Sequence, residues 1–206
     1  MSKLLNVSSS PHVRCGVSTK NLMYDVAIAM LPATIWGVMQ FGIYSLIVVV
    51  ATVLSCVLSE YLFETLMHKP VTISDGSALV TGMILGLNMP PAIPLWMPIL
   101  GGVFAIIVVK QLYGGLGQNW MNPALAARCF MLISFAQAMT KFTDPVTDAV
   151  ASATPLAAIK AGDTYDLAAM FIGKIPGTIG EVSVIALLIG AAYLLVKKVI
   201  TIRIPA

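Results

Sequence analysis

Apolar runs close to the thickness of a bilayer recur from about Leu22 to Ile204, and they leave room for one polar segment of any size. A hydrocarbon core about 30 Å thick is crossed by about 20 apolar residues in a helix. Inside it every backbone N–H and C=O must be satisfied within the protein, which favours helices over open sheets. Soluble chains carry roughly a quarter charged residues; here 58% of residues are hydrophobic and 10% charged. The expected fold is an all-α integral membrane protein. Equally apolar runs along the whole chain argue against a signal peptide heading a secreted domain.

About six hydrophobic segments are expected. The first runs from Asn21, as its N-cap, to Ile43 and is kinked at Pro32; the second, Tyr44 to Leu66, stops at His68-Lys69-Pro70 and forms a hairpin with the first. Ala78 to Met89, between Asp75-Gly76-Ser77 and Pro90-Pro91, is short for a crossing and reads as a broken helix. Such a helix is tolerated at membrane depth only where protein or a polar cavity covers its freed backbone. Pro94 to Tyr113 is a full span, with Trp96 and Tyr113 near its ends. Gly114 to Asn119 is a tight turn rather than a phosphate loop, because no strand precedes it. Asn122-Pro123 caps a span to Met139, and the last span is Val182 to Ile204.

The chain then divides into an N-terminal segment 1–20, membrane helices 21–139, a loop 140–181 and a last helix 182–206. In the loop five acids, Asp144, Asp148, Asp163, Asp166 and Glu181, outnumber three lysines. Lys3, Arg14, Lys20, Lys69, Lys197 and Lys198 lie at the other end of the spans, so the positive-inside rule puts the N-terminus in the cytoplasm. Counting the short segment as a crossing puts the loop outside.

Cys15, Cys56 and Cys129 have no metal-ligand spacing, His12 and His68 are far apart, and a net charge of +3 makes no nucleic-acid surface. No metal site is expected. Lys110 either snorkels to the head groups or faces a water path, and Arg128 serves an internal ion pair or an ion path. Asp75 caps the short segment. Asp25, Glu60 and Glu64, near span ends, are expected to face water.

Several motifs stand in order: Ser10-Pro11-His12, Leu31-Pro32-Ala33, Asp75 to Gly82, Pro90-Pro91, Lys110 to Gly117, Asn119 to Pro123, and Ala151-Ser152-Ala153-Thr154-Pro155-Leu156. Together they resemble the RnfD/NqrB family of membrane subunits, and RnfD most. The resemblance implies FMN joined by a phosphoester to Thr154, with Ser152, Ala153 and Pro155 as its neighbours; Ala151 and Ser152 replace the Ser and Gly that the family prefers. Proline at 155 disfavours helical geometry at Thr154. No His or Cys lies near in sequence to activate the hydroxyl, so a separate flavin transferase must attach the cofactor.

By the same resemblance the chain is a subunit of a translocase in the bacterial cytoplasmic membrane. That complex passes electrons between ferredoxin and NAD, coupled to Na+ or H+ movement. Its partners are other membrane and peripheral subunits of the Rnf type, and the chain is not catalytic alone. A second, non-covalent flavin stays open. Lys110, Arg128 and Asp75 are the ion-path candidates. The helices would form half of an inverted repeat like that of urea transporters, so the sequence is either a partial reading of a longer product or a shortened member. The alternative from another class is a solute channel or carrier in which Thr154 is structural, and a third is a scaffold for neighbouring subunits.

Overall fold

A computed structural model describes residues 18–143, 150–151, 160 and 167–201. Thr154, with Ser152, Ala153 and Pro155, lies outside the described residues, as do Cys15 and His12.

Helix α1 spans Thr19–Phe41 and α2 Ile43–Leu66, both long and apolar enough to cross a membrane. The N-cap of α1 is Ser18, whose Oγ accepts the Lys20 N–H at 3.3 Å, so the helix starts earlier than an Asn21 cap implies. Gly42 alone joins the two helices, at φ +81°, a left-handed value that a Cβ would strain. Helix α3 (Ser77–Leu87) follows a short 3-10 turn at Ile73–Asp75. Helix α4 (Trp96–Gln111) winds as a π-helix from Phe104 onward. Helix α5 (Pro123–Ser134) is capped as expected: Asn122 Oδ1 accepts the Ala124 N–H at 3.0 Å with proline at the first position. It does not run on to Met139. Phe135, at φ −133° and ψ 47°, breaks it, and a short α6 (Ala136–Met139) resumes.

Beyond α6 the described residues depart from an all-helical reading. Strands β1 (Phe142–Thr143) and β2 (Val150–Ala151) pair antiparallel, with Phe142 opposite Ala151. Helix α7 (Leu167–Ile172) and α8 (Val184–Val196) follow. Helix α8 is shorter than the expected span because Lys198, at φ 56°, turns the chain.

The core is largely apolar, built around Val48, Val49, Leu85, Met89, Ile93 and Met131, but the inward face of α2 is mixed. The buried face of α2 carries Ser45, Thr52, Ser55, Ser59, Glu60 and Glu64, whereas Leu54, Leu58 and Leu62 are more than half exposed. Ile35, Met39, Ile133 and Val196 are more exposed still. Large apolar side chains turned outward, with polar groups kept on the inward face of α2, suit hydrocarbon as solvent.

Helix α3 runs from the end of the bundle where α1 starts toward the α1–α2 turn and does not double back. Its first residues lie at the start of α1, since a Cβ on Gly76 would meet Met23 and Tyr24. Its last residues lie at the α1–α2 turn end, where the Tyr44 hydroxyl donates to the Ile93 carbonyl at 2.9 Å. At about 1.5 Å per residue its 11 residues cover only about 16 Å. The remaining depth is filled by residues 178–181, which fold back into the core: the Ile179 N–H donates to the Met89 carbonyl at 3.1 Å and the Gly180 N–H to that of Leu87 at 2.8 Å. Thr178 and Ile179 are buried, so this end of the 140–181 segment belongs to the bundle.

Helix α3 packs on α2 at Gly82, where an added Cβ would lie 2.6 Å from the Val53 Cα. Backbone cannot retreat as a flexible side chain can. Gly82→Ala is expected to lower stability by about 1–3 kcal/mol through overpacking, read as an earlier midpoint in thermal unfolding of the membrane protein; an unchanged midpoint contradicts this packing.

Candidate functional site

The i, i+4 spacing of Cys56, Glu60 and Glu64 puts all three on the inward face of α2. Opposite them the π-wound half of α4 presents two consecutive residues, Lys110 and Gln111, to the interior; its wider turn reduces the angle between neighbouring side chains. Helix α3 supplies Ser77 from its first turn. Lys110 is 2% exposed and Glu60 fully buried, so neither snorkels nor faces water. Glu64 is 2% exposed. The expectation that these glutamates are wet fails because position near a span end does not fix direction: the helix face does.

The groups form one continuous network. Lys110 Nζ donates to Glu60 Oε1 at 2.6 Å and to Ser77 Oγ at 2.6 Å. Ser77 Oγ donates in turn to Asp75 Oδ1 at 2.6 Å, and the Ser77 N–H donates to the same oxygen at 2.7 Å. Gly76, not Asp75, is the N-cap of α3; Asp75, one residue earlier, accepts a single first-turn N–H and also reaches the buried ion pair through the serine. Gln111 Nε2 donates to Glu60 Oε1 at 2.9 Å and to Glu64 Oε1 at 3.3 Å. Thr72 donates to Glu64 through both its N–H and its hydroxyl. A cavity of about 310 Å³ opens onto this network between Glu64, Thr72, Asp75, Gln111 and Gly114.

Arg128, on α5, lies elsewhere. Its guanidinium donates to Asn88 Oδ1 and, at 3.1 Å, to Glu181 Oε1, tying the end of α3 to the returning segment. The pair lies at the surface, with Arg128 35% and Glu181 52% exposed, so the internal ion pair expected for Arg128 does not form. Both bonds leave the same nitrogen, Nη1. In Arg128→Ala, which removes both, the returning segment is expected to loosen, and trypsin should cut after the exposed Lys174 faster than in the unaltered protein; equal cleavage rates would show that the pair holds nothing in place. Asp25 is 23% exposed and accepts the Tyr193 hydroxyl at 2.9 Å, with Lys197 at 3.8 Å.

A third feature lies at the opposite end of the bundle from the carboxylates. An open cleft of about 700 Å³ is lined by Pro94, Met97, Ile133, Phe135 and the polar residues Ser134, Gln137 and Lys141. Lys141 immediately precedes β1, which pairs with β2, and Thr154 follows β2 in sequence, outside the described residues. A ring system of flavin size fits such a volume, and mostly apolar walls with a few polar groups are what cofactor sites use. Among the described residues no group of His, Cys, Asp and Glu is arranged to hold a metal, and Cys56 and Cys129 are free thiols.

Sequence reading singled out Lys110, Arg128 and Asp75 and missed Glu60, Glu64, Ser77, Gln111, Asn88 and Glu181. The four-residue spacing on α2 was the available signal for the first two. Nothing in sequence pairs α2 with α4.

The profile of the NQR2, RnfD, RnfE family matches residues 6–206. Over 98% of its length the chain is 47% identical to a subunit of the Na+-translocating ferredoxin:NAD+ oxidoreductase complex of Acetobacterium woodii. It is 41% identical, over 98% of its length, to the corresponding subunit of the proton-translocating ferredoxin:NAD+ oxidoreductase complex of Clostridium ljungdahlii. The equivalent subunit of the ion-translocating oxidoreductase complex of Rhodobacter capsulatus is 32% identical over 96% of the chain. The chain spans 65% of the length of each of these relatives.

Proposed function

This chain belongs to the NQR2, RnfD, RnfE family, and on that premise we propose that it is a membrane subunit of an ion-translocating electron-transport complex of the ferredoxin:NAD type, carrying FMN as a phosphoester on Thr154. The other subunits of that complex are its partners, and a flavin transferase matures it. The observation that carries the reading is the likeness to one and the same subunit of such complexes along almost the whole chain. The cleft beside β1 supports it with a fitting volume.

When bound, FMN supplies the chemistry of accepting electrons and passing them on. Lys141, Gln137 and Ser134 would offer hydrogen bonds along the polar edge of the ring, while Met97 and Phe135 would exclude water from its faces. At the other end of the bundle, Glu60, Glu64, Asp75 and Lys110 provide the charged interior that a moving cation needs, reached from the 310 Å³ cavity. Lys20, Lys69, Lys197 and Lys198 share that end, which is then the cytoplasmic side of a bacterial inner membrane, with Thr154 on the far side.

Isolated from its native host and denatured, the chain is expected to fluoresce in a gel and to weigh one flavin phosphate more than its amino acids. A dark band at the mass of the bare polypeptide overturns the reading.

A further inference from the structure

A cleft of about 340 Å³ runs between α1 and α8, with Leu87 of α3 also on its wall. From Val26 to Ala33 on α1, and from Leu187 to Leu194 on α8, each side advances by seven residues, which at about 1.5 Å each is about 10 Å. That is about a third of a hydrocarbon core about 30 Å thick. The two sides come into backbone contact, since a Cβ on Gly190 would lie 2.3 Å from the Ala29 carbonyl oxygen. A cleft between helices that touch is too narrow for a further helix, which is about 10 Å across with its side chains, and it admits an extended methylene chain. Its far end calls for no polar ligand: Asn88 Oδ1 and Glu181 Oε1 both accept from Arg128, and Asn88 Nδ2 donates to the Ile84 carbonyl.

The other end is basic. Leu194 and Ile200, which both line the cleft, bracket Lys197 and Lys198 in sequence. Helix α8 ends there in a Schellman turn, the Val199 N–H donating to the Leu194 carbonyl and the Lys198 N–H to that of Leu195, each at 3.0 Å. The left-handed position of such a turn is glycine's as a rule, yet Lys198 fills it at φ 56°. A lysine kept in a strained conformation puts a positive charge where glycine would put none. Lys197 has Asp25 at 3.8 Å, whereas the exposed Lys198 makes no ion pair among the described residues. One positive charge is left over at the mouth of an apolar cleft.

We propose that the cleft holds an acyl chain of an anionic phospholipid whose phosphodiester is paired by Lys198, with Lys197 beside it. A phosphodiester carries a single negative charge, and a lysine ammonium serves it as a point-charge partner. Lysines beside a membrane attract anionic lipid in general; the cleft adds a place for the tail, so that charge and groove together select phosphatidylglycerol over a zwitterionic lipid with the same chains. A lipid so placed lies along the seam between α1 and α8 and braces it. The inference goes beyond the electron-transport reading and depends on neither the flavin nor the ion path.

The test titrates dioleoyl phosphatidylglycerol into the isolated complex after exchange into dioleoyl phosphatidylcholine, and counts the retained phosphatidylglycerol by native mass spectrometry. The unaltered complex is expected to retain one more per copy of this chain than Lys198→Gln, whose binding at this site should be about fivefold weaker for the loss of one lysine. Lys198→Gly should bind as weakly while its thermal midpoint rises, because glycine releases the turn. Ala191→Phe, which fills the cleft and leaves both lysines, should lose the lipid as well. In the unaltered complex, phosphatidylglycerol with a diazirine at the end of an acyl chain should label the peptide that contains Leu187 and Ala191; where Ala191→Phe does not assemble, this label decides. Equal retention by Lys198→Gln and the unaltered complex overturns the proposal. So does a higher midpoint in Lys198→Gly with no loss of lipid, lipid kept by assembled Ala191→Phe, a label confined to other helices, or displacement by an equal concentration of inorganic phosphate.

Discussion

Thr154→Val is expected to abolish the flavin adduct completely. Valine keeps the volume and β-branching of threonine and removes only the hydroxyl oxygen through which a phosphoester would form. The measurement is the intact mass of the chain together with in-gel fluorescence after denaturation; both signals should vanish, while the amount of chain in the membrane stays the same. Thr154→Ser keeps a hydroxyl at the same position and should keep part of the label. Ferredoxin-dependent NAD reduction by the assembled complex should fall to background in the valine variant, because the route through this chain has lost its carrier. An adduct that persists on the valine chain would place the flavin on another residue.

Glu60→Leu is expected to cost about 3–5 kcal/mol, because it leaves the Lys110 ammonium buried against a neutral side chain. Ser77 Oγ remains, but one hydroxyl does not replace a carboxylate at 2.6 Å. In a sodium-free buffer the complex should lose this chain at a distinctly lower temperature. The double variant Glu60→Leu/Lys110→Met removes both charges. It should recover most of the loss, since replacing a whole buried pair by apolar residues is often neutral or stabilising by about 1–4 kcal/mol. If the single and double variants melt together, the two side chains are not coupled. The same double variant should still carry flavin on Thr154 while losing ion transport, which separates the two ends of the bundle.

Much of the helical layout can be read directly from the sequence. Asn122-Pro123 predicts its cap, the Gly114 to Asn119 turn is a turn, and the short third segment is short for the reason that composition suggests. The break at Phe135 is less legible, because the apolar pattern continues through it and only the backbone angles interrupt it, whereas Lys197-Lys198 marks the end of α8 with charge. For the polar network, Lys110 and Asp75 stand out as charges near a membrane segment, but Glu60 and Glu64 do not. Their distance from the helix end suggests water, and only the packing of α4 against α2 turns that face inward. The return of residues 178–181 is invisible in sequence, since its anchors are backbone carbonyls of α3 reached across most of the chain.

That return has a consequence for how the protein is made. The carbonyls of Leu87 and Met89 emerge from the ribosome and enter the bilayer long before Ile179 and Gly180 exist to pair with them. Until then the far end of α3 must borrow partners from lipid head groups, water or the insertion machinery. Biogenesis of this bundle therefore finishes late, with a tail segment closing a gap that the first five helices leave open, and a nascent chain stalled before that point has no way to seal itself.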